Sequence, residues 1–278
     1  MKLIVIAKAN TASVNIGKVL KKKYPNIDAK IFEIKDNVLD LDKYEKEFQT
    51  LAEQSSAGPR GTRSARELKP ELIIVASSHR SEAGIPMLNC HAPGNWSSAD
   101  LGGKTKTLSI APALYIREGI LEFKKLKEMR KELSSYEIGM EVTHHSPTIP
   151  FPVMFVEVGS SEKQWSDLKA CEAAADVINK LCVDITPEEH EKKVSVAIGF
   201  GGGHYCPRFN GKLQEIAFGH ICPKHQADNL DEEMILQAYN KTIPTPDFAA
   251  IEWKGLSSLQ KKKITELLDK NKIPWKKV

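Results

Sequence analysis

Apolar and polar positions along this chain follow two periods. Short, nearly continuous apolar runs occur at Leu3–Ala7 within 2–8, at 71–78 (ELIIVASS) and at 194–200 (VSVAIGF). Runs of this length mark strands buried on both faces. Residues 28–34 (DAKIFEI) alternate with period two, and 106–111, 138–143, 151–158 and 248–253 read as further strands. Between them, the spacing predicts helices at 13–23, 41–53, 113–135, 162–182, 229–239 and 256–271. Ser161 stands where a cap of the 162–182 helix belongs, with Glu162 in its first turn. Three stretches read as loops from their Gly, Pro and Ser content: 55–65 (SSAGPRGTRSA), 79–105 and 201–210 (GGGHYCPRFN). Residues 212–220 fit neither period.

Alternating strands and helices predict an α/β fold, three-layer α/β/α, around a central mixed, mainly parallel sheet. There is no internal repeat and no clear linker in the 278 residues. One domain over 1–278 is therefore expected, with 112–145 the one candidate for an inserted subdomain.

Composition narrows the class. A hydrophobic content of 41% with 27% charged residues is that of a globular protein large enough to bury a core without staples. Five cysteines with no CxxC spacing argue against a disulfide framework and a zinc ribbon, and fit reduced thiols. No segment approaches the ~20 apolar residues of a membrane helix, and the opening run is too short for a signal-peptide core. A cytoplasmic protein without membrane association is expected. The net charge of +4 permits a nucleic-acid partner without requiring one. Lysines cluster at Lys21–Lys23, Lys124–Lys131, Lys261–Lys263 and Lys276–Lys277, and solvated helix faces are the simplest reading of such runs.

Candidate chemistry follows the buried strands. Ser77-Ser78-His79-Arg80-Ser81-Glu82, Thr143-His144-His145-Ser146-Pro147 and Gly201-Gly202-Gly203-His204-Tyr205 each come directly after one. Ligands of parallel sheets bind beyond the carboxyl ends of strands, so these three histidine-bearing segments are expected to converge. Three glycines let backbone N–H groups approach a developing oxyanion, although a tight turn is the plainer use of such a triplet. Adjacent residues on a strand face opposite ways, so His144 and His145 can share a site only in a loop. One is expected to act and the other to support. His79 is a candidate base beside the Arg80 guanidinium, which suits a phosphate or carboxylate; a salt-bridged loop is the alternative. Residues 84–96 add His91, Asn95 and Trp96, the last more simply a core residue than a stacking platform. His204-x-Cys206 and His220-x-Cys222 could form a two-His, two-Cys zinc set, but this is not an established zinc spacing and a proline follows each cysteine. A metal held through histidines, with water in an open position, fits better.

Several of these segments occur together in one known family. The blocks SSHRSEAGIPMLNCHAPGNW (77–96), VTHHSPT (142–148), FVEVGSSEKQW (155–165), GGGHYCPRF (201–209) and GHICPKH (219–225) resemble those of the archaeal and plant type of D-aminoacyl-tRNA deacylase, across roughly residues 72–225. The resemblance implies a fold similar to peptidyl-tRNA hydrolase and the nucleoside phosphorylases. It also implies hydrolysis of the ester between a D-amino acid and the 3′ end of tRNA, with Zn2+ as cofactor. On this reading His79, His144, His145 and His204 are catalytic. Arg80, Ser81, Asn95, Glu157, Gly201, Gly202 and Gly203 serve the substrate or oxyanion, and His91, His204 and His220 hold metal. Cysteine at 90, 206 or 222 is not part of the pattern. The helix at 120–131 offers Lys124, Lys125, Lys127, Arg130 and Lys131 for tRNA phosphates, contacts that carry no sequence information. A monomer is expected. The competing readings are a peptidyl-tRNA hydrolase or nucleoside-cleaving enzyme on the same scaffold, and a non-enzymatic RNA-binding protein. An aromatic content of 7% and the lack of an RNA-recognition motif weigh against the last.

Overall fold

A computed structural model describes residues 1–56, 69–183 and 194–278, so the loop expected at 55–65 lies almost wholly outside the described residues. The first half runs β1 (Lys2–Ala7), α1 (Thr11–Lys23), β2 (Lys30–Ile34), α2 (Glu45–Ser56), β3 (Leu72–Arg80), β4 (Met87–His91), β5 (Gly94–Asn95), β6 (Thr107–Leu108), β7 (Ala111–Pro112), α3 (Ala113–Met129) and β8 (Glu137–Met140). It continues β9 (Val153–Ser160), α4 (Glu162–Trp165), α5 (Leu168–Cys182), β10 (Ser195–Phe200), α6 (Pro207–Asn210), β11 (Ile216–Cys222), α7 (Glu232–Asn240), β12 (Thr242–Ile243), β13 (Phe248–Ile251), α8 (Ser258–Lys270) and β14 (Trp275–Lys277).

Six strands form a mixed sheet in the order β2-β1-β3-β9-β4-β8, and four form a second sheet in the order β11-β10-β13-β14. Every neighbouring pair in both sheets is parallel except β4 with β9. Period-two alternation sorts the apolar side chains of the first sheet. Ile4, Ile6, Ile74, Ala76, Met154 and Val156 face α1, α3 and α5. Leu3, Val5, Ile73, Val75, Val153 and Phe155 face Leu41 and the α2 residue Phe48. Helices on both faces explain why these strands are apolar throughout. In the second sheet, Ile198, Phe200, Ala249 and Ile251 pack under Met234 and Ile235 of α7 and Ile264 and Leu268 of α8. Its other face joins the first core through Ala197, Phe218 and Ala250.

Several elements depart from the sequence reading. Residues 79–105 are not one loop. β3 runs on to Arg80, and β4 (MLNCH) is a fully buried strand within the stretch. Glycines and prolines bracket β4 closely, which masks five buried residues. The helix expected at 162–182 breaks before Asp167, whose carboxylate accepts the N–H groups of Lys169 at 2.9 Å and Ala170 at 3.4 Å and so caps α5. The helix expected at 113–135 ends at Met129, where Arg130 is extended. Within 112–145, α3 is followed by β8, an edge of the six-stranded sheet. Residues 216–222 are a buried parallel strand, and β14 adds an edge that the basic C-terminal sequence does not suggest. Among the described residues, no helix is long and apolar enough to cross a membrane.

Candidate functional site

The alternation that builds the first core also builds the site. Ser77 and His79 continue the Val75 row of β3, and Ser77 pairs with Glu157 on β9. Asn89 pairs with Glu157, and His91 with Phe155. Glu141 follows the last residue of β8. One sheet face therefore changes from apolar to polar over two residues per strand. Gly159, opposite His79, makes room for it, since a Cβ there would lie 2.6 Å from the His79 Cβ.

Loops complete the cluster. His145 has φ +47°, which breaks the extended alternation and lets both members of the pair face one site, with ring centroids 4.3 Å apart. A non-glycine residue in this region carries strain of order 1–3 kcal/mol. The Gly94 N–H, shared between the carbonyls of His144 (3.3 Å) and His145 (2.8 Å), ties the loop to the end of β4. From the second sheet, Gly201 (φ +112°) and Gly202 (φ +79°) turn the chain after β10, and the His204 ring lies 4.7 Å from that of His144. The sequence reading expected one of His144 and His145 to act and one to support; the structure presents both.

Sequence reasoning missed Glu141, which lies at the centre. Its side chain is fully buried, with Oε1 3.2 Å from His79 Nδ1 and Oε2 3.5 Å from His204 Nε2. Oε2 is also 3.8 Å from His91 Nδ1 and 3.8 Å from His144 Nε2. Neither oxygen accepts a well-directed hydrogen bond, and His91 Nδ1 is likewise unpartnered. A carboxylate alone in a buried strand end, three residues before a His pair, was the available signal.

Hydrogen bonds fix two tautomers. His144 Nδ1–H donates to the Val142 carbonyl at 2.8 Å, and His145 Nδ1–H to the Ser146 carbonyl at 2.5 Å. A carbonyl only accepts, so each Nε2 carries a lone pair when the ring is neutral. Burial keeps them neutral: it pushes His144 well below the usual imidazole range and His145 down to about 4, with the neighbouring imidazoles adding to the effect. Burial likewise lowers His91, whose Nε2 lies 3.2 Å from His145 Nε2. His91 Nε2–H therefore donates to the His145 Nε2 lone pair, which leaves lone pairs on His91 Nδ1 and His144 Nε2 facing the buried Glu141 carboxylate. This donor chemistry suits a metal ion, and backbone carbonyls that fix the distal N–H are what ligating histidines normally have. His91, His144 and His145 form one group whose ligand atoms lie within 4.8 Å of one another; Glu141, His144 and His204 form a second, and His79, Glu141 and Glu157 a third. Burial, then repulsion from Glu141, raises Glu157 well above the usual carboxylate range. His204 is half-exposed, and the Glu141 carboxylate pushes it up. His79 is lowered by burial, and its Nε2 lies 3.1 Å from the Tyr205 hydroxyl, which donates to Ser81 Oγ at 3.0 Å.

Other expected residues fall elsewhere. The placement of His220 as a metal ligand is corrected. His220 Nε2–H donates to the Ser109 carbonyl (2.9 Å) and Nδ1 faces Thr143 Oγ1 (3.1 Å), so no lone pair remains for an ion. The two-His, two-Cys set fails with it, because among the described residues neither Cys206 nor Cys222 falls in any group of ligand atoms close enough to share an ion. Asn95 spends its amide on the carbonyls of Gly102 and Lys104, and Trp96 is a core residue. The Gly201 N–H donates to the Cys222 carbonyl, so only the later glycines of the triplet are left for an oxyanion. The lysines of α3 are also displaced from the site. Ile116, Ile120 and Phe123 seat α3 on the sheet face opposite His79 and Glu157. Lys127 donates to the Tyr136 carbonyl, Arg130 pairs with Asp176 and Lys125 with Glu122; Lys124 and Lys131 ride on the same helix and the turn after it.

Two cavities meet at the histidines. A larger one of about 600 Å³ reaches from Asn10 past Ser78 and Arg80 to Trp165, with the Arg80 guanidinium 5.2 Å from the Trp165 ring. A smaller one of about 210 Å³ is lined by Asn95, Ser98, Asp100, His225 and Gln226. His144, His145 and His204 line both. The larger cavity opens beside β1 and β3, where the strand order reverses direction, the usual ligand position in open α/β sheets.

Comparison with known proteins adds a second line. A family model described as D-aminoacyl-tRNA deacylase matches residues 66–276. A D-aminoacyl-tRNA deacylase of Methanosarcina mazei is 42% identical over 210 residues, 74% of this chain and 67% of its own length. One from Thermococcus kodakarensis is 36% identical over 68% of this chain and 66% of its own length. One from Pyrococcus abyssi is 31% identical over 92% of both chains. The crystal structure of a conserved protein of unknown function superposes with a TM-score of 0.84 at 26% identity, covering 100% of this chain and 95% of the other.

Proposed function

The chain belongs to the D-aminoacyl-tRNA deacylase family, and from that membership and the site geometry we propose that it hydrolyses the ester between a D-amino acid and the 3′ end of tRNA, releasing both. The observation that carries this reading is the meeting of two cavities at His144, His145 and His204. A substrate made of two dissimilar parts joined by one scissile bond needs such a shape, with the bond at the shared residues.

Zn2+ is the cofactor of this reading. His91, His144 and His145, one group of donors, would hold it, with Glu141 beside His144; the unpartnered Glu141 oxygens and the lone pairs that face them support the assignment. Held there, zinc would supply Lewis acidity that brings the pKa of a water toward ~7. His79, neutral and held by Tyr205, is placed to accept a proton in the larger cavity. His204, half-exposed and raised by Glu141, is the group best suited to return a proton to the departing ribose oxygen. Gly202 and Gly203 leave the chain bare of Cβ atoms beside it, where backbone N–H groups can meet the oxyanion. Purified protein with zinc should release D-tyrosine from D-tyrosyl-tRNA. Chelation should abolish release, and His204→Ala should lower the rate about 10²-fold or more. D-tyrosyl-tRNA left intact by the zinc-loaded protein overturns the reading.

A further inference from the structure

The basic C-terminal segment remains without a role. β13 and β14 end beside the glycine loop. The Glu252 N–H donates to the Phe200 carbonyl, and Gly202 comes so near Glu252 that a Cβ there would lie 2.6 Å from its Oε2. Trp253, the next residue, stacks parallel to Trp275 with centroids 6.1 Å apart and planes at 2°. Two cations sit over its ring: Lys277 Nζ at 3.9 Å and Lys261 Nζ at 5.3 Å from the centroid. Lys254 follows Trp253 and is exposed. On the far side of the loop, the Lys224 N–H donates to the Gly202 carbonyl, and the adjacent His225 lines the smaller cavity. Lysines thus flank the way from the C-terminal strand to the glycine loop that carries His204.

Several lysines elsewhere are neutralised by carboxylates. Lys21 and Lys23 are paired with Glu33, Glu172 and Asp176, and Lys125 with Glu122. Among the described residues, no carboxylate lies within ion-pair distance of Lys224, Lys254, Lys261 or Lys277. An aromatic ring holds an ammonium in place without cancelling its charge, so Lys261 and Lys277 are positioned and still free to meet an anion. Several cations without carboxylate partners, two of them held over one ring, suit a chain of phosphates, which repeats its charge along the strand.

We propose that this face, with Lys254, Lys261 and Lys277 arrayed around Trp253 and Lys224 beside the glycine loop, receives the phosphate backbone of tRNA and delivers its 3′ end to the site. This deepens the deacylase reading and rests on it for the identity of the RNA. α3, seated on the face of the first sheet opposite His79 and Glu157, is no part of the surface.

The test measures the affinity of full-length protein for deacylated tRNA as a function of salt. The triple variant Lys254→Gln/Lys261→Gln/Lys277→Gln should bind about 10-fold or more weakly near 0.15 M salt, with the log–log salt slope reduced by about 2–3, because each lost phosphate contact removes ~0.7–0.9. The arginine triple at the same positions keeps the charge and should retain affinity, which separates the effect from misfolding. Lys124→Gln/Lys125→Gln/Lys131→Gln should bind like wild type. Unchanged affinity and slope in the glutamine triple, loss in the arginine triple to the same extent, or equal loss in the α3 variant overturns the proposal. Wild-type protein that binds tRNA through this face yet leaves D-tyrosyl-tRNA intact refutes the deacylase reading alone. Full deacylation with an unchanged KM in the glutamine triple refutes the surface alone.

Discussion

Replacing Glu141 by glutamine should move stability in opposite directions with and without metal. In the metal-free protein the carboxylate is fully buried, makes no well-directed hydrogen bond and faces the Nε2 lone pair of His144 at 3.8 Å. An isosteric amide removes the buried charge and offers an N–H to that lone pair. Relief of an unsatisfied buried polar group is worth ~1–3 kcal/mol, with more available when the group is charged. At a pH high enough for His204 to be neutral, so that no imidazolium loses its partner, the metal-free Glu141→Gln protein should therefore melt higher, by roughly 2–4 °C per kcal/mol gained. With zinc the order reverses as long as that relief is below ~2.3 kcal/mol, the difference in binding stabilisation worked next. At a free zinc concentration 100 times the wild-type Kd, binding adds ~2.7 kcal/mol to the wild type; a 100-fold weaker variant gains only ~0.4 kcal/mol by the same relation. Thermal melts of both proteins, in chelator and in buffered zinc, measure all four values. A metal-free variant less stable than wild type, together with an undiminished zinc response, would refute the account of Glu141 as a metal-facing carboxylate.

Two further perturbations follow from the geometry. Gly159→Ala places a Cβ 2.6 Å from His79 Cβ and 2.7 Å from its carbonyl oxygen, so β3 and β9 must separate; a loss of ~1–3 kcal/mol in denaturant unfolding is expected, with a fall in kcat from the displaced His79. Activity and stability like wild type would show that His79 needs no such room. His220 gives a pH signature. Burial lowers it to about 4 in the folded protein, so as pH falls from ~6.5 the unfolded chain takes up a proton that the folded chain does not. Its contribution is full above pH ~6.5 and is lost on acidification toward 4, about 3 kcal/mol in all. His220→Asn should flatten stability against pH by up to one proton in that window, and an unchanged slope would sink the assignment.

What the sequence reveals here depends on whether a signal is local. The apolar runs of β1, β3 and β10 are local, and so is the capping residue Ser161; these elements stand close to where the spacing puts them. His79, His144, His145 and His204 are exposed by their position after buried strands, and the structure brings them together. The remainder depends on register. His91 reaches the cluster because β4 pairs antiparallel with β9, which nothing in MLNCH announces. Glu141 stands out in the sequence only as a lone carboxylate at a strand end, and it is the pairing of β8 with β4 that sets it among the histidines. His220, two residues before Cys222, resembles a ligand by spacing alone, but Ser109 and Thr143, distant in sequence, take both its nitrogens. The basic residues of 124–131 form the denser run, yet Lys125 meets Glu122, Lys127 the Tyr136 carbonyl and Arg130 Asp176, partners visible only on folding.

The central claim is tested most directly by presenting the zinc-loaded protein with one tRNA charged, in parallel, with D-tyrosine and L-tyrosine, and following release of each amino acid. The account predicts rapid release of D-tyrosine, loss of that release in His204→Ala, and an L-ester that persists at close to its spontaneous rate. Equal release of both enantiomers, or release of neither, would contradict it.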